Sequence, residues 1–273
     1  MAQHDENIKH SSLTVSYKGR KHQLQYFDRP APGRTILYVH GLGCSKTDFL
    51  HMTHHPQLDP FRLVSYDHPG CGGSPYDPDN KLGIDDLVEL LDAFVEKMAL
   101  KDFLLVGGSM GGLVVLLYAQ RHPSKIRGLV SIEGNLAPED CMFSRQTATS
   151  DYQSFVDVVY PEIKTALANR NNVVGFSRHL EGLAKANPHA YHDYSKQTVD
   201  YSDNGKLLER FLTLPMPKCF VYGSENRHLS YLSRLRQSDC AVIEIPNADH
   251  FLFYDNPGAL ATELANIALE ISR

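Results

Sequence analysis

The 273-residue sequence predicts a doubly wound, mainly parallel α/β sheet, with a helical cap inserted before the last two strands. Three observations predict it. Short apolar runs alternate with stretches of helical periodicity along most of the chain. One such alternation passes through Gly107-Gly108-Ser109-Met110-Gly111, the sharp turn of a strand running straight into a helix. From Asn135 to about Leu214, roughly 80 residues show no strand pattern, where a connection of ~2–6 residues is the norm. The expected organisation is a core made by residues 1–134 and 215–273, with residues 135–214 forming the cap.

The elements follow in order. Ser12 to Tyr17 and His22 to Phe27 alternate apolar and polar residues around Lys18-Gly19-Arg20, the pattern of an antiparallel hairpin. Thr35 to Val39 is an apolar strand leading into His40-Gly41-Leu42-Gly43. Phe61 to Tyr66 is another, leading into Asp67-His68-Pro69-Gly70-Cys71-Gly72-Gly73-Ser74. Ile84 to Met98 carries Leu87, Leu90, Leu91, Phe94, Val95 and Met98 at helical spacing, with Asp85 and Asp86 at the end where the helix dipole favours acid. Phe103 to Val106 is the strand before the Gly-Ser turn, Leu113 to Gln120 the helix after it, and Ile126 to Ile132 the next strand. Beyond the interruption, Lys218 to Tyr222 and Ala241 to Ile245 resume the rhythm, and a helix runs from Pro257 to about Ile271.

Composition narrows the class. Apolar residues make up 42% and charged residues 22%, ordinary for a globular chain with a sizeable core. A net charge of −5 and the lack of an arginine- or lysine-rich tract argue against a nucleic-acid partner. Met1 to His10 is polar, without the apolar region of a signal peptide, and no stretch reaches the ~18 apolar residues of a membrane span. A cytoplasmic protein with no membrane partner is expected. Cys44, Cys71, Cys141, Cys219 and Cys240 are odd in number and lack paired spacing, so they read as reduced thiols. Fourteen histidines show no ligand spacing, so no metal is expected.

The sharp turn carries the chemistry. A residue there is forced toward positive φ, and Gly107 and Gly111 remove neighbouring side chains that would clash, so Ser109 projects over the strand end. A serine nucleophile needs a base, an orienting acid and donors for the oxyanion. The base is expected at His250, in Asn247-Ala248-Asp249-His250-Phe251, directly after the last strand and at the sheet edge where strand C-termini collect ligands. The oxyanion donors are expected to be the backbone N–H groups of Met110 and Leu42.

The order and spacing of these segments, over essentially the whole chain, resemble an α/β-hydrolase-fold serine hydrolase. The resemblance implies the order nucleophile, acid, histidine. Many members carry an aspartate in a Gly-x-x-Asp turn after the strand that follows the cap; here that turn reads Gly223-Ser224-Glu225-Asn226. Asparagine can orient a histidine but cannot stabilise imidazolium by charge, and the analogous change in a serine protease costs about 10⁴ in turnover. Two carboxylates could substitute. Glu133 ends the strand before the cap, in Ser131-Ile132-Glu133-Gly134-Asn135, and haloalkane dehalogenases and certain lactonases are similar in taking their acid from that strand end. A lone glutamate finishing an apolar strand is also costly to bury without a partner. Glu225 is the alternative, although adjacent residues of an extended turn point opposite ways. Glu133 is favoured. Asp249 is expected to face solvent or the last helix, Asp67 to hold loops together, and Cys44 and Cys71 to lie near the mouth of the site.

A serine at the turn disfavours dehalogenation and epoxide hydrolysis, for which this fold typically uses an aspartate there. The expected chemistry is cofactor-free hydrolysis of a small-molecule carboxylic ester or lactone through an acyl-enzyme. Carbon–carbon bond hydrolysis, or acyl transfer to an acceptor other than water, would use the same groups. A non-catalytic ligand receptor is a third reading, invited by Asn226. In the cap, Phe143, Tyr152, Phe155, Tyr160, Phe176, Tyr191, Tyr194 and Tyr201 could line an aromatic pocket or form the cap's own core. His179, His189 and His192 are expected at the surface.

Overall fold

A computed structural model describes residues 7–170 and 173–271. Its eight strands are β1 (Lys9–Tyr17), β2 (Arg20–Arg29), β3 (Thr35–Val39), β4 (Arg62–Tyr66), β5 (Phe103–Gly108), β6 (Ile126–Ile132), β7 (Lys218–Gly223) and β8 (Ala241–Ile245). They form one sheet in the order β1-β2-β4-β3-β5-β6-β7-β8. The hairpin pairs antiparallel from Lys9↔Asp28 to Tyr17↔Arg20. Lys18 and Gly19 close it with φ of 49° and 72°, the left-handed pair that a two-residue hairpin turn requires. β2 is antiparallel to β4, and every later pairing is parallel.

The central strands read as unbroken apolar runs because both faces of a parallel sheet are covered. All six residues of β5 and all six of β7 are buried. The helix Met110–Arg121 is buried over nearly its whole length, which explains its continuous apolar sequence. The helix Ile84–Lys97 instead shows an amphipathic stripe, and packs on the helix Met110–Arg121 and on β1.

Between β6 and β7 the described residues form only helices and turns. The longest helices are Tyr160–Ala168, Val174–Leu183 and Pro188–Asn204. Phe155, Tyr160 and Tyr191 pack on one another with ring centroids 5.1–5.8 Å apart, so these aromatic residues form the insertion's own core. The insertion is tied to the sheet's loops by Asn187 N–H donating to Gly70 O at 2.7 Å and Tyr194 Oη donating to Pro69 O at 2.7 Å. Among the described residues no helix is long and apolar enough to cross a membrane.

Candidate active site

Ser109 alone joins β5 to the helix Met110–Arg121, with φ 53° and ψ −126°. The strain sits on the serine itself; the glycines serve close packing. A Cβ on Gly111 would run into the carbonyl oxygens of Val39 and His40, so glycine lets the helix begin directly against the end of β3. Ser109 N–H donates to Ile132 O at 3.0 Å, tying the turn to β6. The loop after β3 passes equally close: a Cβ on Gly41 would lie 3.0 Å from Ser109 Cβ and 3.1 Å from Gly108 O. Leu42 and Met110 line the same cavity as Ser109, and the backbone N–H of neither has a hydrogen-bond partner among the described residues. His40 fixes that loop. Its Nε2 accepts from His68 N–H at 3.0 Å, so its Nδ1 carries the proton and donates to Gly41 O at 2.9 Å. Burial lowers its pKa and keeps it neutral.

Asp67, fully buried, accepts from Lys46 N–H at 2.7 Å, Lys46 Nζ at 2.6 Å and Gly73 N–H at 2.9 Å. It holds the loops after β3 and β4 together, as expected for it.

The next strand end presents Glu133, a non-glycine residue at φ 43° whose N–H donates to Val221 O at 2.9 Å. Its carboxylate is buried and fully engaged. Oε1 accepts from Gly223 N–H at 2.7 Å and from Asn226 Nδ2 at 2.9 Å. Oε2 accepts from Asn226 Nδ2 at 3.0 Å and from His250 Nδ1 at 2.8 Å. Burial by itself would lower the His250 pKa, but the hydrogen bond and the charge of Glu133 outweigh it and raise the value above that of an ordinary histidine. Asn226 therefore occupies the position where many relatives of this pattern have an acid, and it clamps an acid supplied by the neighbouring strand. Glu225 is exposed, and its carboxylate takes no part in these hydrogen bonds. Asp249 is partly exposed, as expected, and is also tied into this network. Its Oδ1 accepts from His250 N–H at 2.8 Å and Asn226 Nδ2 at 3.3 Å, and its Oδ2 pairs with Arg170 of the insertion at 2.7 Å.

Ser109 and His250 open on one cavity, whose wall includes Leu42, Met110, Cys44, Phe143, His179 and Phe251. Its free space is about 20 Å³, room for little more than a water molecule. Residues of the insertion, Phe143 and His179 among them, form part of this wall.

Residues 34–181, more than half of the chain, match the sequence model of the alpha/beta hydrolase fold family. The chain belongs to that family. It is an α/β hydrolase in fold, with the eight-stranded, mostly parallel sheet described above. A 1-acylglycerol-3-phosphate O-acyltransferase of Arabidopsis thaliana is 26% identical over 277 residues, covering 85% of this chain; the hydrolase spans 65% of that relative's length. Among solved structures, a thermophilic esterase from Thermogutta terrifontis superposes with a TM-score of 0.77 at 17% identity, covering 97% of this chain and 100% of its own. An N-acyl homoserine lactonase crystallised with N-hexanoyl homoserine superposes with a TM-score of 0.78 at 17% identity, covering 97% and 98% of the two chains.

Several residues of this hydrolase lie elsewhere than the sequence suggested. His179 and His192 are buried, not at the surface; His179 lines the cavity, and His192 Nε2 hydrogen-bonds Ser150 O at 3.0 Å. His189 is half-buried against the Tyr152 ring, 3.9 Å between centroids. Of the eight aromatic cap residues, Phe143 lines the cavity. Cys44 lines it too, whereas Cys71 is buried away from it. Burial pushes both thiols well up, which leaves them poor nucleophiles. Asp140, also in the cavity wall, is pushed up to about 6 by burial and accepts from Leu136 N–H, Ala137 N–H and Tyr231 Oη.

Proposed function

We propose that this α/β hydrolase cleaves a carboxylic ester or lactone through an acyl-enzyme. Ser109 Oγ attacks the carbonyl, His250 Nε2 takes its proton, and the Leu42 and Met110 N–H groups hold the oxyanion. The protonated His250, stabilised by Glu133, returns the proton to the leaving oxygen. Water deprotonated by His250 then attacks the acyl-enzyme, and His250 returns that proton to Ser109 Oγ as the acid is released. The residues 135–214 act as the cap that admits and encloses the small-molecule substrate, and no cofactor takes part. The observation that carries this reading is the buried 2.8 Å bond from His250 Nδ1 to Glu133, on the wall of the cavity that Ser109 enters. It leaves the other imidazole nitrogen for the serine.

The test is p-nitrophenyl butyrate turnover together with a fluorophosphonate label mapped by mass spectrometry. Turnover and a label on Ser109, both lost in Ser109→Ala, support the reading. A folded wild-type chain that neither turns over nor labels refutes it and leaves a ligand receptor in its place. A second reading, transfer of the acyl group to an alcohol acceptor, is favoured by the plant acyltransferase that matches 85% of the chain. Adding 1-acylglycerol-3-phosphate during turnover separates the two by the ratio of diacyl product to free acid.

A further inference from the structure

His179 stands in the cavity wall without a task in the reaction proposed above. It belongs to the helix Val174–Leu183 of the insertion and is 3% exposed. Its Nδ1 faces Cys44 Sγ at 3.5 Å, while its Nε2 is buried with no hydrogen-bond partner among the described residues. Phe251 stacks on the ring at 4.8 Å and 27°, and Phe143 covers it at 5.3 Å. On another side lies the loop that carries Leu42: a Cβ on Gly43 would come 3.3 Å from His179 Cε1.

This setting fixes the ring's state. Burial, helped by nearby His250, pushes its pKa down to about 3, so the imidazole is neutral. Cys44 keeps its proton because burial raises its pKa, and its Sγ has two neighbours that can take that proton, His179 Nδ1 and the Asp48 carboxylate. With the thiol proton directed to Nδ1, the single imidazole proton sits on Nε2. Buried donors are almost always paired in folded proteins, so an unpaired one in the wall of a ligand cavity is a group that a ligand completes.

We propose that His179 Nε2–H is the contact by which the insertion reads the substrate, donating a hydrogen bond to a second oxygen carried next to the reacting carbonyl. The oxyanion itself already has the Leu42 and Met110 donors. The preferred class is thus an ester or lactone bearing an amide or keto oxygen beside the scissile group, in preference to a plain alkyl ester. A site built to pair such a group discriminates against analogues that lack it, because the donor is then left buried and unpaired. The inference rests on the reading of the Ser109 cavity as the substrate site.

The test uses Ser109→Ala protein, in which ligands persist, and calorimetry with two ligands. One is N-hexanoyl homoserine lactone; the other is the same lactone with its amide replaced by two methylenes. The expected result is about tenfold tighter binding of the amide ligand, the size of one hydrogen bond. Adding His179→Phe is expected to erase that ratio, and adding His179→Gln, whose amide also donates, to restore part of it. A ratio unchanged in His179→Phe overturns the proposal. So does equal weakening of both ligands, and so does failure of the Ser109→Ala protein to bind either one. If the ratio behaves as expected while the intact chain shows no turnover and no label on Ser109, the acyl-enzyme reading falls and the His179 contact stands.

Discussion

The sheet edge beneath the cavity and the helical insertion above it are built on opposite plans. Below, two carboxylates are saturated, the Glu133 carboxylate receiving His250, Gly223 and Asn226 and Asp67 receiving three donors from two loops. Tyr38 Oη, Asp48 Oδ2 and both ring nitrogens of His68 are left unpaired among the described residues. Glycines let backbone and side chain meet at van der Waals contact, and strained φ values at Ser109 and Glu133 are held by strand pairing on either side. Above, the wall is mainly aromatic packing with an unpaired nitrogen, and the insertion leaves Met142, Val158 and Val174 half-exposed or more. A satisfied network rigidifies, whereas apolar contact leaves groups free to shift. The lower half is suited to hold reacting atoms still; the upper half is suited to adapt to what it encloses.

That contrast predicts a steep ranking of effects. Ser109→Ala is expected to reduce p-nitrophenyl ester turnover by about 10⁶, as loss of the nucleophile does in serine proteases; retention of even a hundredth of the activity would assign the chemistry to another group. Glu133→Gln keeps the shape and removes the charge, and about 10⁴ in kcat is the expected loss. It also moves the pH profile. His250 must be deprotonated to act, so kcat/KM of the native enzyme should fall as pH drops through a value above the ordinary histidine range of about 6.5. Without Glu133 to raise that pKa, the acid limb should shift to lower pH. A limb that stays put would show that another group titrates.

Smaller effects probe the clamp and the surroundings. Asn226→Ala removes donors to a buried carboxylate, and a loss of about 10–100-fold in kcat follows from hydrogen bonds to charged groups of ~1.5–3 kcal/mol. Asn226→Asp should be no gain: it sets a second carboxylate about 3 Å from Glu133. Rising activity in that variant would mean that the family's usual acid position is the working one. Glu225→Ala, exposed and outside the network, is expected to change turnover by less than about twofold, as surface changes do. A drop comparable to that of Glu133→Gln would reverse the choice of acid.

The two plans also differ in how far the sequence discloses them. The buried parallel strands announce themselves as apolar runs, and β3, β6 and β8 begin and end where the pattern puts them. β1 extends three residues before Ser12, because Lys9-His10-Ser11 pair through their backbone on an exposed edge and carry no apolar signal. Ser109, Glu133 and His250 are legible because each ends or follows a strand, so the sheet itself delivers them to one edge. Asn226 as a clamp is not legible, since its partner is 93 residues away. In the insertion, local pattern says little about which helices meet. One signal was nevertheless present: Phe176, His179 and Leu183 share the spacing of one helical face and are all buried, which sets that histidine among apolar residues.

The bonds that orient Glu133 also order events while the chain is being made. Gly223, Asn226 and His250 follow it by 90, 93 and 117 residues, with the entire insertion in between. A growing polypeptide therefore exposes its serine and its glutamate long before either can be aligned. Only when β7 docks beside β6, and the loop after β8 swings into place, do they acquire a common geometry. Contacts this distant in sequence form late because the intervening loop must first be closed. Topology thus keeps an unfinished chain inert.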